Sequence, residues 1–160
     1  MRVTNLIIAL LVLTHSLNVK SDTDMIPYYF FNAASAFKID VALLYAFCTE
    51  ESRCNINALN KDDGTAFAKS QGVKSPSHGM FQIKLPTARS LGFAGSSKQL
   101  MKPEINTWYA SKLLRSLYNK YKDTSKVISA YNAGHPITGN KKYVFRVLRA
   151  YAHYKIDKRY

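Results

Sequence analysis

The distribution of apolar residues along the first part of the chain predicts two consecutive helices. Apolar positions recur at helical spacing over residues 27–37, and a run that is apolar on almost every side, residues 41–48, follows directly after Asp40. Asp40 can act as the N-cap of this second helix, because its carboxylate can accept from amides left unpaired in the first turn. A helix that is apolar all round is usually buried at the centre of a domain. We therefore expect the chain to pack around the helix that ends near Ser52.

Further helices are predicted by the same periodicity and by their caps. They are a short helix over 86–92 with Pro86 in its first turn, a long helix over 104–121 after Pro103, a helix through Ala130 capped by Thr124 or Ser125, and a last helix over 143–154. The expected inward faces of the two longer helices are Ile105, Tyr109, Leu113 and Leu117, and Val144, Val147, Leu148 and Tyr151. Residues 95–97 are expected to form a flexible break, and the polar segment 55–78 a functional loop or a small β-hairpin. The fold class is therefore mainly α, in a single domain.

The first 21 residues have the pattern of a secretory signal peptide. Arg2 gives a positive start, residues 6–13 form an apolar core, and small residues follow at Ser16 and Ser21. The apolar run is far shorter than the roughly 20 residues that a membrane span needs. We predict a signal peptide over 1–21 and an exported, soluble domain over 22–160; an uncleaved anchor is the alternative.

The composition adds a strongly basic charge. The 160 residues carry 23 Lys and Arg against 10 Asp and Glu, a net charge of +13, and from Lys98 onward there are 14 basic residues and 3 acidic ones. Such a field favours a polyanionic partner such as nucleic acid, anionic lipid or an anionic wall polymer. The alternative is that the charge only keeps a small exported protein soluble. The charge narrows the partners and selects no reaction.

Two cysteines, Cys48 and Cys54, can form a disulfide in an oxidising compartment. Their separation is too long for the bond inside a continuous helix, so a disulfide requires the helix to stop near Ser52. The alternative is two small buried thiols. With two cysteines and no nearby pair of histidines, we expect no metal site and no cofactor.

Two adjacent carboxylates, Glu50 and Glu51, end the central helix. Burying a charged group costs on the order of several kcal/mol unless the charge is paired or neutralised. Desolvation can raise a carboxyl pKa so that the group stays protonated, which is the state that a general acid needs. We interpret Glu51 as this acid, although periodicity alone does not separate it from Glu50.

Four short motifs occur in the order and approximate spacing of one family. They are Glu51-Ser52, Gly-Met-Phe-Gln-Ile at 79–83, Ala-Tyr-Asn-Ala-Gly at 130–134 and Tyr-Val at 143–144. Each is weak alone, but together, over residues 32–151, the chain resembles the soluble lytic transglycosylase family of the lysozyme-like superfamily. The resemblance implies a helix-dominated α+β lysozyme-like fold with a catalytic groove.

The resemblance also implies a reaction. It is cleavage of the β-1,4 bond between N-acetylmuramic acid and N-acetylglucosamine in peptidoglycan, with a 1,6-anhydro product instead of addition of water. Glu51 would act first as general acid and then as base, while the 2-acetamido group of the substrate supports the developing positive charge. Of the two carboxylates, the family's catalytic one is the Glu before Ser, which assigns Glu51.

The remaining site residues follow from the same resemblance, position by position. The residues expected to contact or line the substrate groove are Ser52, Asn60, Met80, Phe81, Gln82, Tyr131, Asn132 and Tyr143. Gln82 would bond sugar, Tyr131 would donate toward Glu51 or the substrate, and Tyr143 would close the groove. Met80 and Phe81 would form its apolar wall, and Ser52 would cap or orient rather than react. Asn60 stands where the family often has a small hydroxyl residue.

Two other functions stay open at this stage. A hydrolytic lysozyme could use Glu51 with Asp62 or Asp63 as second carboxylate, and a non-catalytic basic module could bind glycan or nucleic acid on the same fold. For the leading reading the partners are peptidoglycan strands, with a secretion, conjugation or pilus apparatus raised by analogy. We expect no nucleic acid partner, no stable membrane insertion, a monomer, and location in the periplasm or cell envelope.

Overall fold

The computed structural model describes residues 27–61 and 75–157, and these residues form helices and a small antiparallel sheet. The helices are α1 (Tyr28–Phe37), α2 (Val41–Ser52), α3 (Leu85–Ser90), α4 (Ser97–Leu100), α5 (Pro103–Tyr121), α6 (Thr124–Ala133), a 3-10 turn (Thr138–Asn140) and α7 (Lys141–Asp157). The strands are β1 (Leu59–Asn60), β2 (Ser77–His78) and β3 (Ile83–Lys84). The fold is the predicted helix-dominated α+β lysozyme-like class.

Helix α2 is the central element, as its apolar pattern predicts. Its N-cap Asp40 accepts a hydrogen bond from the amide of Ala42 at 2.9 Å, and the middle of the helix is buried, with Leu44 and Phe47 fully enclosed. Helix α7 packs along α2, while α5 contacts both α1 and α6. The C-terminal end of α2, which carries the two glutamates, therefore lies beside the start of α7.

The sheet has one strand more than the predicted hairpin. Its order is β1-β2-β3, and both pairings are antiparallel, with Leu59 opposite His78 and Ser77 opposite Lys84. Strands of two residues are too short to show an alternating pattern, and this explains why sequence periodicity does not reveal them. The tight connection between β2 and β3, residues 79–82, faces the end of α2.

One predicted break and one predicted helix cap are wrong. Residues 95–97 do not form a flexible break: the Ser96 hydroxyl and the Gln99 side chain make a capping box that begins α4. Helix α6 is capped by the carboxylate of Asp123, which accepts from the amide of Lys126 at 2.8 Å, and not by Thr124 or Ser125. In both cases the capping side chain precedes the first helical residue, as cap geometry requires.

The inward face of α5 is also displaced from the predicted one. Leu117 is buried as expected, whereas Ile105, Tyr109 and Leu113 are only partly buried. The fully buried positions of this helix are instead Asn106, Thr107, Ala110, Ser111 and Leu114. A hydrophobic pattern misses this face because several of its side chains are polar and are buried in order to make hydrogen bonds.

Some of the predictions fall on residues that the structure does not describe. These are the signal peptide over 1–21 and the carboxylates Asp62 and Asp63. Among the described residues, no single helix is long and apolar enough to cross a membrane; α1 and α2 reach that length and apolarity only as a pair, across a bend of 117°.

Candidate active site

Glu51 is held at the last turn of α2 by an abrupt helix end. Arg53 and Cys54 both adopt left-handed backbone conformations, with φ of 56° and 57°, and a disulfide joins Cys54 back to Cys48. The amide of Cys54 also donates to the carbonyl of Cys48 at 3.0 Å. This arrangement satisfies the carbonyl groups at the helix end and fixes the direction of the chain directly after Glu51.

Ser52 ties this helix end to the β2–β3 connection. Its hydroxyl donates to the carbonyl oxygen of Met80 at 2.8 Å and accepts from the amide of Asn55 at 3.0 Å. The hydroxyl is therefore occupied on both sides by backbone groups. Both contacts are to backbone groups, and the capping or orienting role of Ser52 stays a prediction.

The connection at 79–82 is a tight turn held from behind by Asn106 of α5. The buried Asn106 amide accepts from the backbone N–H of Phe81 at 2.8 Å and donates to the carbonyl groups of His78 at 2.8 Å and Leu100 at 3.0 Å. Gly79 has φ of +69°, and an added Cβ would lie 2.6 Å from the Asn106 side chain. Only glycine fits this close approach.

Asn106 is absent from the residues that sequence reasoning assigns to the site. The only indication in the sequence is that this polar residue falls, by helical periodicity, on the side of α5 close to the core. That signal is weak, because such a residue is more often solvent-exposed.

Gln82 follows in the same turn and also has a left-handed backbone, with φ of 48°. Its side-chain nitrogen donates to the carbonyl of Gly79 at 2.8 Å, and the side chain is partly exposed. The amide is thus folded against its own turn, and its expected bond to sugar stays a prediction.

Met80 and Phe81 do not form an exposed apolar wall. Met80 is 2% exposed and Phe81 0%, so both lie in the core. The Phe81 ring packs on Phe30, with centroids 5.6 Å apart, and the Met80 sulfur lies 3.8 Å from the hydroxyl oxygen of Thr107. Both side chains support the 79–82 turn from the core side, because the hydrogen bonds to the backbone of this turn direct them inward.

Tyr131 lies near the end of α6, where Gly134 terminates the helix in a left-handed conformation. Its ring packs on Phe47 of α2, with centroids 4.5 Å apart, and its hydroxyl donates to the carbonyl of Phe81 at 2.9 Å. The hydroxyl therefore does not donate to Glu51, although Glu51 is close enough to act on it electrostatically: burial first, and the Glu51 charge second, raise the pKa of Tyr131 well above its usual value.

Tyr143, in the first turn of α7, makes the direct contact with the glutamate. Its hydroxyl donates to Oε1 of Glu51, and the residue is buried in the core beside α2. Burial, together with the Glu51 charge and this hydrogen bond, raises the pKa of Tyr143 far above its usual value. Both tyrosines are therefore neutral hydroxyl donors in any physiological range of pH.

The two glutamates at the end of α2 have different partners. Nε of Arg146 donates to Oε1 of Glu50, forming an ion pair in which the Glu50 side chain is 18% exposed. Glu51 instead receives the neutral Tyr143. The geometry thus separates the two carboxylates that periodicity leaves equivalent: Glu50 is compensated by a cation, and Glu51 is held by a tyrosine hydroxyl.

Two more of the expected site residues lie at the surface. Asn60 is exposed on β1, opposite Ser77, and Asn132 is exposed in the last turn of α6, next to Tyr131. The structure therefore brings Glu51, Ser52, Tyr131, Tyr143 and the backbone of the 79–82 turn together at the end of α2. Among the described residues, no cluster of three or more His, Cys, Asp or Glu side chains could hold a metal ion.

The helical domain with a small sheet and a glutamate at the end of its buried helix has the arrangement that the sequence resemblance implies for a lysozyme-like domain. The chain belongs to the transglycosylase SLT domain family, whose family model matches residues 28–150. No curated protein matches it.

Among solved structures, the chain is similar to an inactive glutamate-to-glutamine variant of the lytic transglycosylase Slt from Pseudomonas aeruginosa. The TM-score is 0.66 at 17% identity, over 81% of this chain and 24% of that one. The chain thus spans about a quarter of the length of the Slt structure, and this likeness establishes the fold.

Proposed function

We propose that this protein is a peptidoglycan lytic transglycosylase with Glu51 as its catalytic acid and base. The observation that carries the proposal is the position of Glu51 at the end of a buried helix, in contact with the hydroxyl of Tyr143 and close to Tyr131. Membership of the transglycosylase SLT domain family and the shared fold with a lytic transglycosylase support it. The inactivity of a Slt variant with one glutamate changed to glutamine is consistent with a carboxyl group that carries the chemistry.

The proposed reaction needs one proton to be given and one to be taken back. Protonated Glu51 donates to the glycosidic oxygen, the bond to C1 of N-acetylmuramic acid breaks, and the 2-acetamido group supports the positive charge at C1. The Glu51 carboxylate then removes the proton of the C6 hydroxyl, whose oxygen attacks C1 and closes the 1,6-anhydro ring. Such proton transfer contributes about 10²–10⁴-fold to a rate, and the intramolecular nucleophile makes water unnecessary.

Tyr143 can stabilise Glu51 between these two proton transfers, when Glu51 is a carboxylate. When Glu51 has given up its proton, its carboxylate is a charge in a partly buried position, and the neutral Tyr143 hydroxyl already donates to it. Because its own pKa is raised far above the usual value, the Tyr143 hydroxyl keeps its proton, and its hydrogen bond stabilises the carboxylate without competing for the proton. Tyr131 remains fixed by the Phe81 carbonyl and shapes the neighbouring wall.

A mechanism with a single carboxylate agrees with the state of Glu50. Most glycosidases use two carboxyl groups, and substrate-assisted enzymes need only one. Glu50 is next to Glu51 in the sequence but is paired with Arg146, so it is poorly suited to act as a second base or nucleophile.

Product analysis tests the proposal. We expect the wild-type protein to release muropeptides with 1,6-anhydro ends from purified sacculi, as identified by mass spectrometry, and Glu51→Gln to release none. Glu104→Gln, which removes an exposed carboxylate at the start of α5, is the matched control and should retain turnover. Products with reducing ends that carry added water would instead identify a hydrolase, and no released sugar with unchanged wall binding would identify a binding module.

The proposed substrate lies in the cell envelope, so the protein must reach that compartment. We infer that residues 1–21 act as the signal peptide for this export, and that cleavage of the wall is local. N-terminal sequencing of the protein recovered from the envelope tests the export step, and an unprocessed N-terminus would contradict it. That the protein acts together with a secretion, conjugation or pilus apparatus stays a prediction by analogy.

A further inference from the structure

Arg146 contacts Glu50 and also the ring of Tyr143, the residue that donates to Glu51. It lies one turn after Tyr143 on α7, its Nε donates to Glu50, and its guanidinium carbon lies 6.0 Å from the centroid of the Tyr143 ring. The arginine side chain is 47% exposed, whereas that of Glu50 is 18% exposed. A single cation thus touches both the neighbour of the catalytic glutamate and the tyrosine that donates to it.

The ion pair has an electrostatic consequence for Glu51. A nearby carboxylate charge disfavours ionisation of a second carboxyl group, and a nearby cation favours it. Because Glu50 and Arg146 carry opposite charges and are in contact, their effects on Glu51 largely cancel. Removing either partner would leave one uncompensated charge close to Glu51, in surroundings where solvent screens it only partly.

We propose that Arg146 is a positioning residue of the active site, which neutralises Glu50 and supports the ring of Tyr143 so that Glu51 ionises independently of its neighbour. This inference rests on the proposed function, because it concerns the acid of that reaction. In the described part of the chain, the ionisable groups identified around Glu51 are Glu50 on α2, Tyr131 on α6, and Tyr143 and Arg146 on α7. The tyrosines remain neutral, so Glu50 and Arg146 are the two charged groups of this set.

The inference makes predictions of opposite sign for the two partners. Arg146→Gln leaves the Glu50 charge unpaired, so the titration of Glu51 should move to higher pH, by on the order of one pH unit. Glu50→Gln leaves the arginine unpaired, so the titration should move to lower pH. The double variant removes both charges and should return close to the wild-type midpoint, and Arg146→Lys, which keeps the charge, should stay near it as well.

The midpoint can be measured without any enzyme activity, by a ¹³C NMR titration of the Glu51 carboxyl carbon, with the Glu51→Gln variant used to assign the signal. The basic limb of the pH–rate profile on sacculi should move in parallel. If the ion pair between Arg146 and Glu50 had only a structural role, both single variants would lose stability or activity while the midpoint of the Glu51 titration stayed unchanged. That result would overturn the inference. Absence of anhydro products from the wild type, with the opposite shifts intact, would refute the proposed function alone.

Discussion

The hydroxyl of Tyr143 reaches Glu51 across 92 positions of sequence, and this contact distinguishes the catalytic candidate from its neighbour. A phenol that is buried next to a carboxylate has a raised pKa, so it stays a donor throughout the pH range in which the enzyme would work. Its effect should therefore be greatest when Glu51 is ionised, which is the state between the two proton transfers.

Tyr143→Phe should reduce turnover while preserving the fold. The ring stays in place, but the carboxylate loses one hydrogen bond, and bonds to charged groups contribute about 1.5–3 kcal/mol, or roughly 10- to 150-fold in rate. The comparison is kcat/KM on sacculi together with the melting temperature, with Tyr121→Phe at the end of α5 as a control of the same chemistry. An unchanged rate would show that the hydroxyl does not act on the reacting glutamate.

Sequence periodicity could not choose between Glu50 and Glu51, because the residues that contact them lie far away in the sequence. Both stack over apolar rows of α2, while Tyr143 and Arg146 lie 92 and 96 positions further along the chain. Helical periodicity describes neighbours three or four residues apart. The assignment of Glu51 therefore came from the family motif, and the structure adds the physical difference between the two environments.

At the level of elements, the β2–β3 turn depends on α5 for its shape. Asn106 makes three hydrogen bonds to backbone groups of His78, Phe81 and Leu100, and the turn in turn receives the hydroxyl groups of Ser52 and Tyr131. The end of α2, the turn and the end of α6 are thus joined through backbone carbonyl groups of one short segment. A change in α5 should be transmitted to the site through this segment.

Asn106→Ala should therefore destabilise the protein and disturb the site together. It leaves a buried N–H and two carbonyl groups without their amide partner, and we expect a loss of about 2–4 kcal/mol in the free energy of unfolding. Urea denaturation measures this loss, and Asn119→Ala, an exposed position on the same helix, is the control. Equal stability of the two variants would contradict a clamping role.

The N-cap of α2 gives a second prediction at this scale, about pH. Partial burial alone would raise the pKa of Asp40, but the hydrogen bonds from Lys155, Tyr151 and the Ala42 amide outweigh it and hold the pKa below its usual value. A lowered folded-state pKa stabilises the protein above the unfolded pKa of about 4, and this stabilisation is lost as the pH falls through the folded pKa.

Asp40→Asn isolates this charge, because asparagine can still cap the helix. We expect the variant to be less stable than the wild type at pH 7, and the difference between their urea midpoints to shrink below about pH 4. A difference that is independent of pH would mean that the carboxylate charge contributes nothing through Lys155 and Tyr151.

Where local signals decide an element, the sequence predicts it well. Asp40 before an apolar run and Pro103 at the start of the longest helix mark helix starts that the structure confirms. The inward face of α5 was mispredicted because Asn106, Thr107 and Ser111 are buried for hydrogen bonding. The burial of polar residues is a tertiary property, and hydrophobic periodicity has no means of detecting it.

For the whole molecule, the remaining feature is its positive charge. The net charge is +13, with the excess concentrated from Lys98 onward, and in the described part of the chain this region includes α5, α6 and α7. Helices α6 and α7 also carry Tyr131 and Tyr143, so a basic surface accompanies the elements that complete the candidate site. Long-range attraction would then raise the concentration of an anionic wall polymer around the molecule.

Binding to intact sacculi should accordingly weaken as salt is added. The inactive Glu51→Gln variant allows binding to be measured without digestion, and raising NaCl from about 0.03 to 0.3 M shortens the screening length from roughly 20 to 6 Å. We expect the affinity to fall about tenfold, the lower end of the known effect of electrostatic steering. A short neutral chito-oligosaccharide should bind with little dependence on salt, since it carries no charge to be screened. If sacculi and the neutral oligosaccharide responded alike, the basic excess would serve solubility, and attraction to the wall would have to come from the groove itself.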